Sequence, residues 1–233
     1  MQNKNTVKYK EQRIKNLVLV GMFTALAYVV MLVFHIKVQF LTFEFKDAIM
    51  TIGAMICGPV YALVMSLVTA LLELFTVSDT GIYGFIMNFI ASAAFTFPAA
   101  LIYKYKRNIY GAMIGTLTAV FTMTAVMLIA NLIVTPYYYH MDAAGVAKMI
   151  PTLLLPFNLT KALLNAGVVL LLYKPISQAL KRAKLVSVPA EGEIKKFDPR
   201  TTIVVTVISA LLIAVSLIVF FSVLGGNISL GIY

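Results

Sequence analysis

The chain has 233 residues, of which 61% are hydrophobic and 12% are charged, and its formal net charge is +10. Soluble domains carry about half apolar and roughly a quarter charged residues, so this composition excludes a protein folded with a water-facing surface. The basic residues lie in short segments between apolar runs, which excludes a nucleic-acid-binding face and favours a protein surrounded by membrane lipid.

Apolar runs recur in chain order at residues 17–34, 48–72, 81–103, 109–139, 149–173 and 201–224. A helix of about 20 residues crosses the hydrocarbon core of a bilayer, and the runs lack the strict alternation of membrane β-barrel strands. The sequence therefore predicts an all-α, multi-pass protein of the cell membrane. A basic segment precedes the first run, as in a signal peptide, but the length of the run favours an uncleaved first span.

The second run contains Gly58-Pro59, a pair that ends a helix because proline lacks the amide donor and clashes with the preceding turn. If this run were one span, basic clusters would lie on both faces of the membrane. Two short helices, at 48–57 and 60–75, instead place most of the 19 basic residues on one face. Because basic loops face the cytoplasm, the N-terminus is predicted to be cytoplasmic.

Three segments follow from this reading. Residues 1–182 form a six-helix membrane domain, and residues 183–200 form a polar cytoplasmic linker. Residues 201–233 contain an additional transmembrane helix at 201–224. Because that helix carries no charged residue, it is expected to face lipid or a partner protein and not to bind a ligand.

The first predicted loop, residues 36–47, combines aromatic and ionisable side chains to an unusual degree. We expect it to form one wall of a binding site, although an ordinary interfacial loop would account for the same residues. Asp47 is expected to cap the helix that follows. Because the next two helices are short, this loop and residues 73–81 are expected to fold back over protein as a lid, not over lipid.

Lys161 is the most informative residue, because a charge inside an apolar helix usually lines a cavity or a pathway. Asn158 and Asn165 share its helix face at spacings of three and four residues, and Asn131 adds a third amide from inside another apolar run. No acid lies at matching depth on a predicted neighbouring helix, which favours a ligand as the partner of Lys161. The alternative is that these side chains only join helices through hydrogen bonds.

Gly21 and Ala25 form a small-xxx-small pattern on the first predicted helix. Such a pattern lets another helix approach closely. Spacing alone leaves internal packing and the docking of a partner subunit equally open.

Several motifs together carry a family resemblance: Leu41-Thr-Phe-Glu-Phe-Lys-Asp47, Cys57-Gly-Pro-Val60, Leu72-Glu-Leu-Phe75, Asn131 ahead of Pro136-Tyr-Tyr138, and Pro156-Phe-Asn-Leu-Thr-Lys161. Over residues 15–182 the chain resembles the riboflavin-binding substrate-capture (S) component of energy-coupling-factor (ECF) vitamin transporters. The resemblance implies six helices with both termini cytoplasmic. The chain departs from the family in having the additional helix, and in Gly21, which replaces the first alanine of an Ala-x-x-x-Ala motif.

The resemblance also implies roles for individual residues. Asn131, Asn158 and Lys161 would hydrogen-bond the heterocyclic edge of the isoalloxazine ring. The residues that would wall or cover the site are Thr42, Phe43, Glu44, Lys46, Asp47 and Tyr83. Gly21 and Ala25 would dock on the transmembrane coupling protein, which is driven by two ATP-binding subunits.

The function implied is capture of riboflavin at the extracellular side with no reaction on the ligand, no cofactor and no metal. Whether flavin mononucleotide is also accepted is left open. The alternatives are capture of thiamine or folate, an intramembrane enzyme that uses Lys161 and Glu73 as a pair, and a stand-alone facilitator. The sequence has no P-loop and no nucleophile motif, so ATP would be used by partners and catalysis is disfavoured.

Overall fold

A computed structural model describes residues 2–34, 36–38, 41–183, 185 and 199–223. Its elements in chain order are α1 (Gln2–Val33), β1 (Ile36–Val38), β2 (Leu41–Phe43), α2 (Lys46–Cys57), α3 (Pro59–Thr76), α4 (Gly81–Tyr105), α5 (Ile109–Tyr139), α6 (Ala143–Lys148), α7 (Leu155–Arg182) and α8 (Pro199–Val223). A π-helical turn, Ile150–Leu154, leads into α7. The predicted linker lies almost wholly outside the described residues, as do residues 224–233.

The chain is a helical bundle, as predicted. In the described part of the chain, six helices are long and apolar enough to cross a membrane, namely α1, α3, α4, α5, α7 with its preceding turn, and α8. The strands β1 and β2 form a short antiparallel hairpin with Ile36 opposite Phe43. The hairpin occupies the predicted first loop, and its burial confirms that this loop folds back over protein.

The break at Gly58-Pro59 reverses the chain, which confirms that the second apolar run is two helices. Lys46 at the start of α2 lies beside Glu73 near the end of α3, with 2.5 Å between Nζ and Oε1. At the other end of α2, the thiol of Cys57 lies 4.0 Å from the backbone oxygen of Asn16. Gly58 makes the turn with a φ of 121°, a conformation that residues with a side chain rarely adopt.

The two ends of the bundle differ in chemistry. We call the end where α3 and α5 finish and α4 begins the acidic end, because Glu44, Asp47 and Glu73 lie there. The opposite end, where α4 and α7 finish, carries Lys104, Arg107, Lys181 and Arg182 and is called the basic end. This separation agrees with the charge distribution expected for a multi-pass membrane protein.

Helix α8 packs along α7, with its start at the basic end and its finish at the acidic end. Lys174 on α7 donates to the hydroxyl of Thr202 at 2.7 Å. Farther along, a Cβ added at Gly167 would lie 2.7 Å from Ile213 and 3.1 Å from the backbone oxygen of Ser209. The absence of a side chain at Gly167 therefore allows the two helices to approach closely.

Candidate ligand-binding site

A cavity of about 350 Å³ lies at the acidic end of the bundle, within the range of small-molecule sites. Its walls come from α1, the β2 strand, α3, the α3–α4 loop, α4, α5 and α7. The lining residues are Met31, Leu41, Thr42, Glu44, Glu73, Val77, Ser78, Asp79, Thr80, Tyr83, Gly84, Met87, Asn88, Ala91, Met123, Met127, Asn131, Tyr138, Phe157, Asn158 and Lys161. Six of the predicted site residues are among them: Thr42, Glu44, Tyr83, Asn131, Asn158 and Lys161.

The amides of Asn131 on α5 and Asn158 on α7 both line the cavity. Each side chain is almost completely buried, and each donates to the carbonyl oxygen one turn earlier in its helix, at 2.7 Å to Met127 and 2.8 Å to Leu154. The Asn131 oxygen also accepts from Thr135 at 3.0 Å. These bonds fix the side-chain orientations, and the second hydrogen of each amide nitrogen is available to a ligand.

Lys161 lies one turn beyond Asn158 on α7 and is 5% exposed. Its ammonium donates to the backbone oxygen of Thr42 at 3.0 Å and lies 4.0 Å from the Glu44 carboxylate. The prediction considered only acids at matching depth on neighbouring helices, and the acid beside Lys161 comes from a loop instead. Glu44 reaches it from the residues after β2, and a survey of neighbouring helices alone could not find a partner supplied by a loop.

Further lysine–carboxylate contacts lie next to the pair formed by Lys161 and Glu44. Lys46 lies 2.5 Å from a Glu44 oxygen and 2.5 Å from a Glu73 oxygen. The other Glu73 oxygen accepts from Asn88 at 2.6 Å. The network thus joins the first loop to α2, α3, α4 and α7 with two lysines and two glutamates, so its buried charges compensate one another. Because Glu73 is engaged by Lys46 and Asn88, the proposed Lys161–Glu73 catalytic pair is not supported.

Three predicted site residues do not line the cavity. Phe43 points to its outer side and packs against Phe157, with ring centroids 4.4 Å apart and planes inclined by 49°, and Lys46 lies within the charge network. The expectation that Asp47 caps α2 is wrong, because the helix begins at Lys46 and no side-chain cap bond forms. Asp47 instead accepts a hydrogen bond at 2.6 Å from the buried hydroxyl of Ser92, a contact that was not predicted.

Asn165 holds the first loop against α7. Its amide oxygen accepts from the backbone nitrogen of Ala48 at 2.9 Å, and its amide nitrogen donates to the backbone oxygen of Glu44 at 3.0 Å. The predicted polar face of α7 therefore has two roles. Asn158 and Lys161 line the cavity, whereas Asn165 holds the backbone of Glu44 in place.

The remaining cavity wall is apolar and aromatic. Four methionines line it, Met31, Met87, Met123 and Met127, and thioethers make favourable contacts with aromatic rings. Tyr83 and Tyr138 stack, with centroids 6.1 Å apart and planes inclined by 28°. These methionines and Asn88 were not predicted to line the site. Asn88 carried the same signal as Asn131, an amide inside an apolar helix, whereas methionine in an apolar run gives no such signal.

This combination defines a class of protein. The bundle is multi-pass, and the cavity at its acidic end offers hydrogen-bond donors, acceptors and apolar side chains. No group of at least three His, Cys, Asp or Glu residues in the described part of the chain could hold a metal ion. The site is suited to binding a polar, planar small molecule within a membrane protein.

Comparison with known proteins identifies the family. Residues 15–176, more than half of the chain, match the family described as ECF transporter, substrate-specific component. The chain therefore belongs to this family of membrane transport proteins, whose members work with an ECF module, and it is not an enzyme.

Individual relatives support the same family assignment. The chain is 32% identical over 185 residues to the riboflavin transporter RibU of Staphylococcus aureus, with 75% of this chain and 97% of the relative covered. It is 27% identical over 173 residues to the riboflavin transporter FmnP of Bacillus subtilis, with coverages of 69% and 91%. A solved structure, reported as that of the S component of a bacterial ECF transporter, aligns with a TM-score of 0.61 and 31% identity over 73% of this chain and 99% of that one.

Proposed function

We propose that the chain captures riboflavin in the cavity at the acidic end and delivers it to an ATP-driven ECF module. The observation that carries this proposal is that Asn131, Asn158 and Lys161 all line the same cavity. The isoalloxazine ring has one edge of alternating carbonyl and ring-nitrogen groups, which needs both donors and acceptors. Two amides and an ammonium supply them.

The apolar part of the cavity lining supports the same ligand. An isoalloxazine is flat and aromatic, so most of its area needs apolar contact while one edge needs hydrogen bonds. Methionine side chains from α1, α4 and α5 provide such contacts. The names of the two riboflavin-transporting relatives are consistent with this assignment.

The proposed topology places the basic end and the N-terminus in the cytoplasm and the cavity toward the extracellular side. The energy for uptake would come from two ATP-binding subunits acting through a transmembrane coupling protein.

The binding proposal is tested with the full chain purified in detergent. We expect it to retain flavin, visible from its yellow absorbance, and to quench the fluorescence of added riboflavin at a single saturable site. Thiamine and folate should not compete, and flavin mononucleotide is included as the second flavin. A chain that binds thiamine or folate and not riboflavin would contradict the flavin assignment.

We further propose that Gly21 and Ala25 form the docking surface for the coupling protein. Both residues are exposed on α1, and a Cβ added at Gly21 would meet no atom within 4 Å. Their small size is therefore not required by packing inside the bundle, which was the alternative to docking. A small-xxx-small face that is open to the membrane favours close approach by a helix of another subunit.

Replacing Ala25 by leucine should prevent assembly with the coupling protein and leave riboflavin binding unchanged, because α1 would lose close approach on a face outside the cavity. The measurement is co-purification of the variant with a tagged ECF module. Ala125→Leu is the matched control, since Ala125 is exposed on α5. Equal loss of assembly in both variants, or none in Ala25→Leu, would count against this docking surface.

A further inference from the structure

The aromatic side chain of Phe220 connects α8 to the wall of the binding site. Phe220, near the end of α8, is 5% exposed although α8 presents much of its surface outward. Its ring packs edge-on against Phe43 of β2, with centroids 5.1 Å apart and planes at 84°. Phe43 in turn packs against Phe157 on α7, which lines the cavity.

These rings belong to a hydrophobic cluster distinct from the main core of the bundle. The cluster joins the hairpin, the start of α7 and the end of α8, and its buried members are Val38, Phe43, Leu153, Phe157, Leu164 and Phe220. Ile213 of α8 packs against it. The outer side of the hairpin is therefore covered by α8 in the described structure.

The position of Phe43 gives this contact a consequence for the ligand. Thr42 and Glu44, its neighbours in sequence, line the cavity, and the Thr42 backbone oxygen accepts the hydrogen bond from Lys161. Phe43 lies on the other side of the same strand, where it meets Phe220. Because Phe43 lies between Thr42 and Glu44, a displacement of its ring would also move these two residues of the cavity wall.

We propose that Phe220 is a positioning residue that braces β2 against the cavity and thereby slows release of the bound ligand. The proposal rests on the proposed function, since it concerns the residence time of the captured vitamin. Helix α8 lies beyond residues 15–176, which match the family. The contact that Phe220 makes with Phe43 is therefore an addition to the part of the chain that the family shares.

The test compares Phe220→Ala with Phe221→Ala, which removes the same atoms from the adjacent ring, 54% exposed. In Phe220→Ala, riboflavin should dissociate roughly three- to tenfold faster, the factor that corresponds to an aromatic pair of ordinary strength. Dissociation is followed by fluorescence after a chase with excess unlabelled ligand analogue. Phe221→Ala should match the wild type, and Phe220→Leu, which keeps apolar volume, should fall between them.

A second readout needs no ligand. Hydrogen–deuterium exchange of the unliganded chain should become faster in residues 41–45 of Phe220→Ala and stay unchanged in α4 and α5. This readout remains valid if the wild type binds no riboflavin, so failure of the brace and failure of the proposed function are distinguishable. Unchanged exchange in residues 41–45, faster exchange throughout the chain, or faster exchange with an unchanged dissociation rate would each overturn the proposal.

Discussion

Replacing Lys161 by methionine is expected to weaken riboflavin binding by about 10- to 100-fold, the range for a hydrogen bond to a charged group. The ammonium lies in the cavity wall, 3.0 Å from the Thr42 carbonyl oxygen. Its loss removes a donor to the ligand and also releases the strand that carries Thr42. Titration of the purified variant by fluorescence quenching measures the change.

Lys148→Met is the matched control for Lys161→Met. It removes the same charge from an exposed position on α6, and its affinity should equal that of the wild type. If both variants bind riboflavin as tightly as the wild type, Lys161 braces the bundle and does not contact the ligand.

Replacing Lys46 by methionine is expected to lower the free energy of unfolding by about 3–5 kcal/mol, the effect of removing one partner from a buried ion pair. Lys46 is 2% exposed and contacts both Glu44 and Glu73 at 2.5 Å. Without it, the buried carboxylates of Glu44 and Glu73 would lose the ammonium that they share. The thermal unfolding midpoint in detergent, followed by circular dichroism, reports the loss.

A double variant tests whether charge is the cause. Adding Glu73→Gln to Lys46→Met removes the charge of one of the two acids that Lys46 contacts, so the double variant should be more stable than Lys46→Met alone. Lys104→Met, at an exposed position of the basic end, should unfold like the wild type. A double variant less stable than Lys46→Met would mean that the side chain's packing, and not its charge, is what stabilises this region.

The architecture could largely be predicted because the bilayer imposes simple rules. Apolar runs located the long helices, and the Gly58-Pro59 break combined with charge placement predicted the reversal between α2 and α3. Both arguments depend on strong local signals, a missing amide donor and the cost of charge in hydrocarbon. Element bounds differ by only one or two residues at α2, α3 and α8.

The site was predicted where a polar side chain interrupts an apolar helix. Asn131, Asn158 and Lys161 gave that signal, and all three line the cavity. The pairing of Lys161 with Glu44 could not be predicted in the same way, since Glu44 follows a hairpin whose path depends on long-range contacts. One such contact is the Asn165 amide, which binds the backbone of Glu44 from 121 positions away in sequence.

The packing of α8 was the feature that could least be predicted from the sequence. Its sequence is apolar on every side, so hydropathy cannot separate a face that meets α7 from a face that meets lipid. Gly167 permits the close approach from the α7 side, but glycine is frequent in membrane helices and by itself predicts no partner. Only the structure brings Phe220 to Phe43.

A structure of the riboflavin-bound chain tests the central claim most directly. The ring should lie in the cavity at the acidic end, with its heterocyclic edge about 3 Å from the side-chain nitrogen or oxygen atoms of Asn131, Asn158 and Lys161. Riboflavin bound elsewhere, or lying in this cavity with that edge turned away from all three side chains, would contradict the account.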